Sequence, residues 1–137
     1  MKYRIEIQPP NIKPYRNGNA GVDYVRTLDS KTPGPHVMVQ ALTHGNEFCG
    51  AIAIDYLFAE KVKPVKGKLT LAFANVAAFA RFDFHDPDRS RSIDVDYNRV
   101  CADAEIGGRR DSAELRRARE LRPFVDAADY LLSLIHI

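Results

Sequence analysis

The amino-acid sequence predicts an α/β fold in which helices flank a mixed, largely parallel sheet. Residues 37–42 and 69–74 are apolar runs with the length and the near-continuous apolar character of strands buried on both faces. Residues 47–60, which lie between the two runs, place apolar side chains at helical spacing. The order strand, helix, strand is a βαβ unit, whose two strands are parallel neighbours joined by a right-handed crossover.

Length and composition indicate one ordinary globular domain. The 137 residues provide enough chain for a hydrophobic core. The fractions of 45% hydrophobic and 28% charged residues argue against an intrinsically disordered chain. The net charge of +2 creates no strong field for nucleic acid or an anionic membrane, so we expect neither partner. The chain also lacks an apolar run of the about 20 residues that cross a bilayer.

The N-terminus and the two cysteines bear on the cellular compartment. Cys49 and Cys101 form no Cys-x-x-Cys pair, which argues against a thiolate zinc site and against a disulfide-stapled secreted scaffold. Residues 1–7 mix charged side chains into the apolar ones, whereas a signal peptide needs a continuous apolar region. These features predict a cytoplasmic protein.

Local patterns predict the remaining elements of the N-terminal half. Residues 2–7 alternate polar and apolar side chains, which is typical of a half-buried strand, and Pro9-Pro10 ends that strand. Residues 22–28 form a short extended segment after a turn. A short helix is expected over residues 76–82, followed by a polar loop over residues 83–93.

The C-terminal part is predicted to contain one charged helix and one further strand. The helix spans residues 111–121, and the hydroxyl of Ser112 can cap its N-terminus. Acidic and basic side chains alternate along it, including Glu114 three residues before Arg117, which favours a solvated helix face over a nucleic-acid site. Residues 129–132 begin a buried strand.

His44 and Glu47 follow the first strand of the βαβ unit and are three residues apart. Functional groups gather at the carboxyl ends of parallel strands, where loops are free to vary, and Gly45 allows a tight turn there. An imidazole and a carboxylate are two of the three protein ligands in a His₂Glu catalytic zinc site. The alternative is that His44 caps the loop and Glu47 interacts with the dipole of the helix that follows.

A second group of polar residues lies between residues 91 and 99. Asn98 and Arg99 offer an amide and a planar guanidinium, which together can hold a substrate carboxylate through charge-assisted hydrogen bonds. Arg91 is a third donor, able to face a developing oxyanion. The alternative is a solvated loop with Asp–Arg pairs, each worth about 0–1 kcal/mol.

Together the two groups resemble the signatures of the succinylglutamate desuccinylase/aspartoacylase family of zinc enzymes, which are relatives of the zinc carboxypeptidases. Residues 44–47 match the family's His-Gly-x-Glu. Arg91 and residues 96–99 match its Arg and the Asp-x-Asn-Arg that follows, with Tyr97 where Leu is commoner. The resemblance covers residues from about 36 to 132 and implies a zinc-carboxypeptidase-like fold.

The resemblance also implies a cofactor and a reaction. It implies Zn²⁺ held by His44 and Glu47, with Arg91 as the residue that polarises the substrate carbonyl. Asn98 and Arg99 would bind the carboxylate of an N-acyl amino acid whose amide bond is hydrolysed. Two alternatives stay open: a zinc carboxypeptidase that acts on peptides, and a non-catalytic fragment or binding module.

The chain departs from the family pattern at its C-terminal end. There the family's strand continues into Asp-x-His, whose His is the third zinc ligand, whereas this chain reads Ser-Leu-Ile-His-Ile over residues 133–137. His136 lies one residue beyond the matching place, so in a strand it would point to the opposite face. The family's later general-base Glu has no counterpart either. We therefore predict that residues 1–132 are the N-terminal part of a catalytic domain, that residues 133–137 are a non-native or frame-shifted tail, and that the chain by itself is inactive.

Three other candidate residues are assigned no role in the site. His36 is expected to be structural or exposed, and His85 to be an exposed loop residue. Cys49 is expected to be a small buried residue of the helix that follows Glu47. Acyl-group specificity and oligomeric state are not predicted by the sequence.

Overall fold

The computed structural model, which describes residues 4–135, contains a four-stranded sheet in the order β1-β3-β2-β4. The strands are β1 (Val25–Asp29), β2 (His36–Ala41), β3 (Lys68–Phe73) and β4 (Tyr130–Leu134). β2 is parallel to both β3 and β4, while β1 runs antiparallel along the outer side of β3. This arrangement confirms the predicted mixed, largely parallel sheet.

Within the described residues, four helices accompany the sheet. They are α1 (Cys49–Ala59), α2 (Val76–Phe79), α3 (Asp103–Ile106) and α4 (Ala113–Ala127), and three 3₁₀ turns cover Lys13–Tyr15, Pro87–Ser90 and Tyr97–Arg99. The three predicted helices are present as α1, α2 and α4, and Ser112 caps α4 as predicted, accepting the N–H of Leu115. α4 extends past the predicted end because the helix continues through Pro123. Over the described range, the helices are too short or too polar to traverse a membrane.

The sheet separates two apolar core clusters, as expected for a sheet with helices on both faces. Successive side chains of a strand point to opposite faces. Val39 and Ala41 of β2 therefore pack with Ala51 and Ile54 of α1, whereas Met38 packs in the other cluster with α4 residues such as Leu115. Met38, Val39 and Ala41 of β2 are buried because both faces of the strand are covered.

The predicted N-terminal strand is wrong for the described part of its range. Residues 4–7 pair with no strand in residues 4–135, and Ile5 instead packs its side chain against the α1 side of the core. Alternation of polar and apolar residues specifies which face a segment buries, but a strand also needs a partner. The outer side of β3 is already taken by β1.

β4 is a strand, as predicted, but its expected burial is wrong. Tyr130, Leu131 and Leu132 are 64%, 47% and 55% exposed, because β4 lies at the edge of the described sheet. The strand continues through Ser133, whose hydroxyl oxygen lies 3.1 Å from that of Thr43. The suggested non-native origin of residues 133–137 stays a prediction, and His136 lies outside the described residues.

Candidate active site

The candidate site begins where β2 ends. Leu42, the first residue after the strand, is fully buried and has a φ of 60°. This left-handed conformation costs a residue with a side chain about 1–2 kcal/mol, so the surrounding packing must hold it. The turn ends the strand and is followed by Thr43 and His44, which are both buried.

His44 and Glu47 converge on one another. The side chain of His44 is 2% exposed, and its Nδ1 lies 3.0 Å from Oε1 of Glu47. Within residues 4–135, Nδ1 of His44 and Oε2 of Glu47 are buried and have no hydrogen-bond partner. Buried polar atoms without partners are costly and uncommon in folded proteins. A buried imidazole nitrogen that faces a carboxylate at 3.0 Å without a hydrogen bond, together with the unpartnered second oxygen of that carboxylate, fits a divalent metal ion.

Asp96 holds the opposite side of the His44 ring. Its Oδ1 lies 2.9 Å from Nε2 of His44 and also accepts the backbone N–H of Asn98 at 2.9 Å. The hydrogen bond from His44 contributes most to lowering the pKa of Asp96 to about 2, and hydrogen bonds from Asn98 and Arg91 contribute less. Burial acts in the opposite direction and raises this pKa. A carboxylate in this position fixes the proton on Nε2, which leaves the lone pair of Nδ1 free for a metal.

Arg91 lies next to both carboxylates. Its guanidinium donates from Nη2 to Oδ2 of Asp96 at 3.2 Å, and its Nη1 lies 3.7 Å from Oε1 of Glu47. The side chain is 45% exposed, so it is also open to a ligand. The structure thus places Arg91, Glu47, His44 and Asp96 in one contiguous group.

Gly45 brings the Arg91 loop against the His44 loop. Its N–H donates to the carbonyl of Arg91 at 3.1 Å. A Cβ at this position would lie 2.2 Å from the carbonyl oxygen of Ser90 and 2.4 Å from the carbonyl carbon of Ala78. The glycine is therefore required by the close approach of two backbone segments, rather than by the tight turn that the sequence suggested.

Asn98 and Arg99 are placed differently from each other. The backbone of Asn98 shares Oδ1 of Asp96 with His44, which puts Asn98 beside the site. Arg99 is exposed and lines a separate cavity of about 200 Å³ together with Glu105. Asn98 therefore lies beside the site, whereas the Arg99 side chain lines the separate cavity next to it.

Glu114 is the main residue that the sequence reading missed. Its side chain is fully buried and accepts three consecutive backbone N–H groups, those of residues 93–95, at 2.6, 3.1 and 3.2 Å. It also accepts a hydrogen bond from the side chain of Asn75 at 3.2 Å. Burial by itself would raise the pKa of Glu114, but these four hydrogen bonds together lower it. The loop that leads into Asp96 is thus attached to α4 through one ionised carboxylate.

The prediction of a solvated α4 face is consequently wrong for Glu114, and also for Arg117. The Arg117 side chain is 13% exposed and donates to the carbonyls of Phe73 and Ala74 at the end of β3 at 2.7 and 2.8 Å. One signal was available in the sequence: Glu114 is on the same helical face as Ala118 and Leu121, which are buried.

The predictions for His36 and His85 are confirmed, whereas the prediction for Cys49 is not. His36 has the predicted structural role, with its ring nitrogens 3.1 Å from the carbonyl of Ala127 and 2.7 Å from the hydroxyl of Thr70. His85 is exposed, as predicted. The prediction for Cys49 is wrong: it is exposed, because the first position of α1 borders a cavity rather than the core.

The described residues supply two candidate metal-ligand groups. In residues 4–135 no set of three His, Cys, Asp or Glu side chains is arranged to hold a metal ion. The fit to a metal therefore rests on the unpartnered atoms of His44 and Glu47 and on the chemistry of an imidazole beside a carboxylate.

Comparisons with known proteins agree with this architecture. The succinylglutamate desuccinylase of Chromobacterium violaceum superimposes with a TM-score of 0.61 and 21% sequence identity, over 82% of this chain and 36% of its own. Murine aminoacylase 3 superimposes with a TM-score of 0.56 and 28% identity, over 75% of this chain and 35% of its own. The chain thus spans about a third of the length of these two proteins.

The sequence itself carries the assignment to a family. No curated protein matches the chain significantly. Residues 33–131, however, match the succinylglutamate desuccinylase/aspartoacylase catalytic domain, and this range contains every candidate site residue discussed above. The chain belongs to the succinylglutamate desuccinylase/aspartoacylase family.

Proposed function

We propose that this chain forms the metal-binding part of a zinc-dependent hydrolase that cleaves the amide bond of N-acyl amino acids. The observation that carries the proposal is the pair of buried, unpartnered atoms, Nδ1 of His44 and Oε2 of Glu47, with Arg91 beside them. The family assignment and the names of the two similar structures, a desuccinylase and an aminoacylase, support the reaction class.

His44 and Glu47 would hold the zinc ion, and Asp96 would keep the His44 ring in the orientation and tautomer that this requires. Zinc, when bound in such a site, lowers the pKa of its water toward about 7 and polarises a carbonyl. Because the described part of the chain supplies two ligand groups, we expect it to hold zinc weakly.

Arg91 would stabilise the negative charge that develops on the acyl oxygen during attack. Its guanidinium is half-exposed and already oriented by Asp96, so little rearrangement is needed to donate to an oxyanion. Asn98 and Arg99 would bind the substrate carboxylate. Arg99 is exposed, so rotation of its long side chain can bring the guanidinium toward Asn98.

Metal binding is the first test. We expect Glu47→Gln to lower the affinity for Co²⁺ or Zn²⁺ by about 100-fold or more. Loss of a residue that only hydrogen-bonds to a metal ligand typically lowers affinity about 10–100-fold, and loss of a ligand itself should cost more. Glu60→Gln is the matched control, since Glu60 is exposed at the end of α1. Competition with a chromophoric chelator measures both affinities, and equal values for the two variants would rule out Glu47 as a ligand.

Recognition of the substrate carboxylate is the second test. We expect Arg99→Ala to raise the Kd for an N-acyl amino acid about 10- to 100-fold, the effect of losing hydrogen bonds to a charged group. The Kd for the corresponding C-terminal amide should not change, and Arg109→Ala serves as a control at another exposed arginine. Ligand-observed NMR measures these affinities, and an equal loss for acid and amide would contradict the assignment.

The carboxypeptidase alternative is distinguished by the ligand that the same site prefers. A deacylase site binds N-acyl amino acids at least as tightly as longer peptides with the same C-terminal residue. A carboxypeptidase site gains affinity from each additional peptide residue on the acyl side. Comparing an N-acyl amino acid with peptides of increasing length in the same NMR titration decides between the two.

A further inference from the structure

An apolar cavity of about 400 Å³ adjoins the candidate site. Glu47 and Arg91 form part of its wall, so the cavity opens directly beside the group proposed to carry the chemistry. The rest of the wall is mainly apolar and comes from Ile5, Ile7, Phe48, Ile52 and Pro87. A volume in this range is typical of pockets that bind small molecules.

The polar end of the cavity matches the two hydrogen-bonding groups of an amide. Arg91 can donate to a carbonyl oxygen there. Asn46 lines the same cavity, and its Oδ1 is buried without a hydrogen-bond partner within residues 4–135. This buried acceptor would gain a partner by taking the N–H of a substrate amide, whose desolvation would otherwise be costly.

The cavity lies on the acyl side of such an amide. Asn98, beside Asp96, and Arg99, on the neighbouring cavity, belong to the part of the site proposed to hold the substrate carboxylate. With the carboxylate held there, the amino-acid half of the ligand would point toward the 98–99 turn. The acyl half, at the other end of the amide, would then enter the apolar cavity.

The charge of the wall limits which acyl groups fit. Arg91 is its one cation among the described lining residues, and this guanidinium already faces Glu47 and Asp96. A dicarboxylic acyl group such as succinyl would place a second carboxylate against isoleucine and phenylalanine side chains. Burial of a charge without a partner is strongly unfavourable.

From this geometry we propose that the cavity binds an uncharged, apolar acyl group, so that the substrates are amino acids acylated with aliphatic or aromatic monocarboxylic acids rather than with succinate. The inference rests on the proposed function and adds the substrate class to it.

Cys49 provides a direct test, because it lines the cavity and is exposed. The full 137-residue chain is alkylated with iodoacetamide in the presence of Zn²⁺, and modification of each cysteine is followed by mass spectrometry of peptides. An N-butanoyl amino acid at about ten times its Kd should slow Cys49 alkylation about tenfold, following simple site occupancy. Cys101 lies outside this cavity, so its rate should not change.

The same experiment compares acyl groups and a variant of the wall. The N-succinyl derivative of the same amino acid should protect Cys49 at least about tenfold less well, because an unpaired carboxylate is costly to bury in the cavity. Ile7→Lys adds a cation to the wall at a side chain that is 61% exposed, so the fold should tolerate it. This variant should improve protection by the succinyl compound, whereas the control Val65→Lys, at a side chain 92% exposed, should not.

The outcomes separate this inference from the proposed function. Protection by the succinyl compound equal to or better than that by the butanoyl compound overturns the apolar specificity and leaves the deacylase proposal standing. N-acyl amino acids that bind in an NMR titration of the Zn²⁺-loaded chain but do not protect Cys49 overturn the placement of the acyl group in this cavity and leave the deacylase proposal standing. Failure of every N-acyl amino acid to bind in that titration overturns both.

Discussion

Glu114→Ala should lower the free energy of unfolding by about 3–5 kcal/mol, because several buried N–H donors lose their acceptor at about 1–3 kcal/mol each. The variant leaves the backbone N–H groups of residues 93–95 without their acceptor and also creates a cavity beside Asn75. Urea unfolding measures the change. Glu60→Ala, at an exposed position, should change the stability by no more than about 0.5 kcal/mol.

The contribution of Glu114 should also depend on pH. The folded-state pKa of this carboxyl is lowered from its ordinary value of 4.5, so its stabilising effect is complete above that pH. The effect is lost as the pH falls through the folded-state pKa, because the proton then competes with the four hydrogen bonds. The stability difference between wild type and Glu114→Gln should therefore be largest near neutral pH and shrink in acid. A difference that stays constant from pH 7 to pH 3 would show that the carboxylate charge is not involved.

Glu114 should influence metal binding as well as stability. The three amides that it holds immediately precede Asp96, which orients the ring of His44. Loosening this loop should weaken Zn²⁺ binding by about 10-fold or more, the typical effect of disturbing a group that orients a ligand. The affinity is measured at a temperature where Glu114→Gln is folded. Unchanged zinc affinity in that folded variant would limit Glu114 to a purely structural role.

The second large effect is expected for Gly45→Ala. The new Cβ would lie 2.2 Å from the carbonyl oxygen of Ser90 and 2.5 Å from the backbone nitrogen of Phe79. Both atoms belong to backbone, one in the Pro87–Ser90 turn and one in α2, which cannot rotate away as a side chain can, so both segments must move away from Gly45. We expect a loss of about 3 kcal/mol or more, at or beyond the upper end of ordinary overpacking.

Gly107→Ala is the matched control for this substitution. Its Cβ would lie no closer than 3.3 Å to another atom, and Gly107 has an ordinary φ of −80°. We expect a change within about 1 kcal/mol, of either sign. Thermal unfolding of the two variants gives the comparison. Equal stability would mean that the Arg91 loop does not pack on Gly45.

Local sequence patterns were sufficient for much of this protein. The βαβ unit, the Ser112 cap and the position of His44 and Glu47 at a strand end were all predictable, because each depends on residues close together in the chain. Periodicity and capping act over a few residues and are therefore visible in the sequence. The family signature adds the long-range pairing of residues 44–47 with residues 91–99 as a recognised pattern, which the match over residues 33–131 supports.

Contacts between residues distant in sequence depend on the tertiary structure and are not visible in those local patterns. Asp96 reaches His44 across 52 residues of sequence, and Glu114 reaches Ile93 across 21. The residues around Asp96 and Glu114 do not indicate which distant group each carboxylate contacts. In sequence, a carboxylate that orients a ring or a loop looks the same as one that faces water. The burial of Glu114, the exposure of β4 and the need for glycine at position 45 all depend on which segments meet in space, and that is set by packing between elements rather than by the propensity of any one of them.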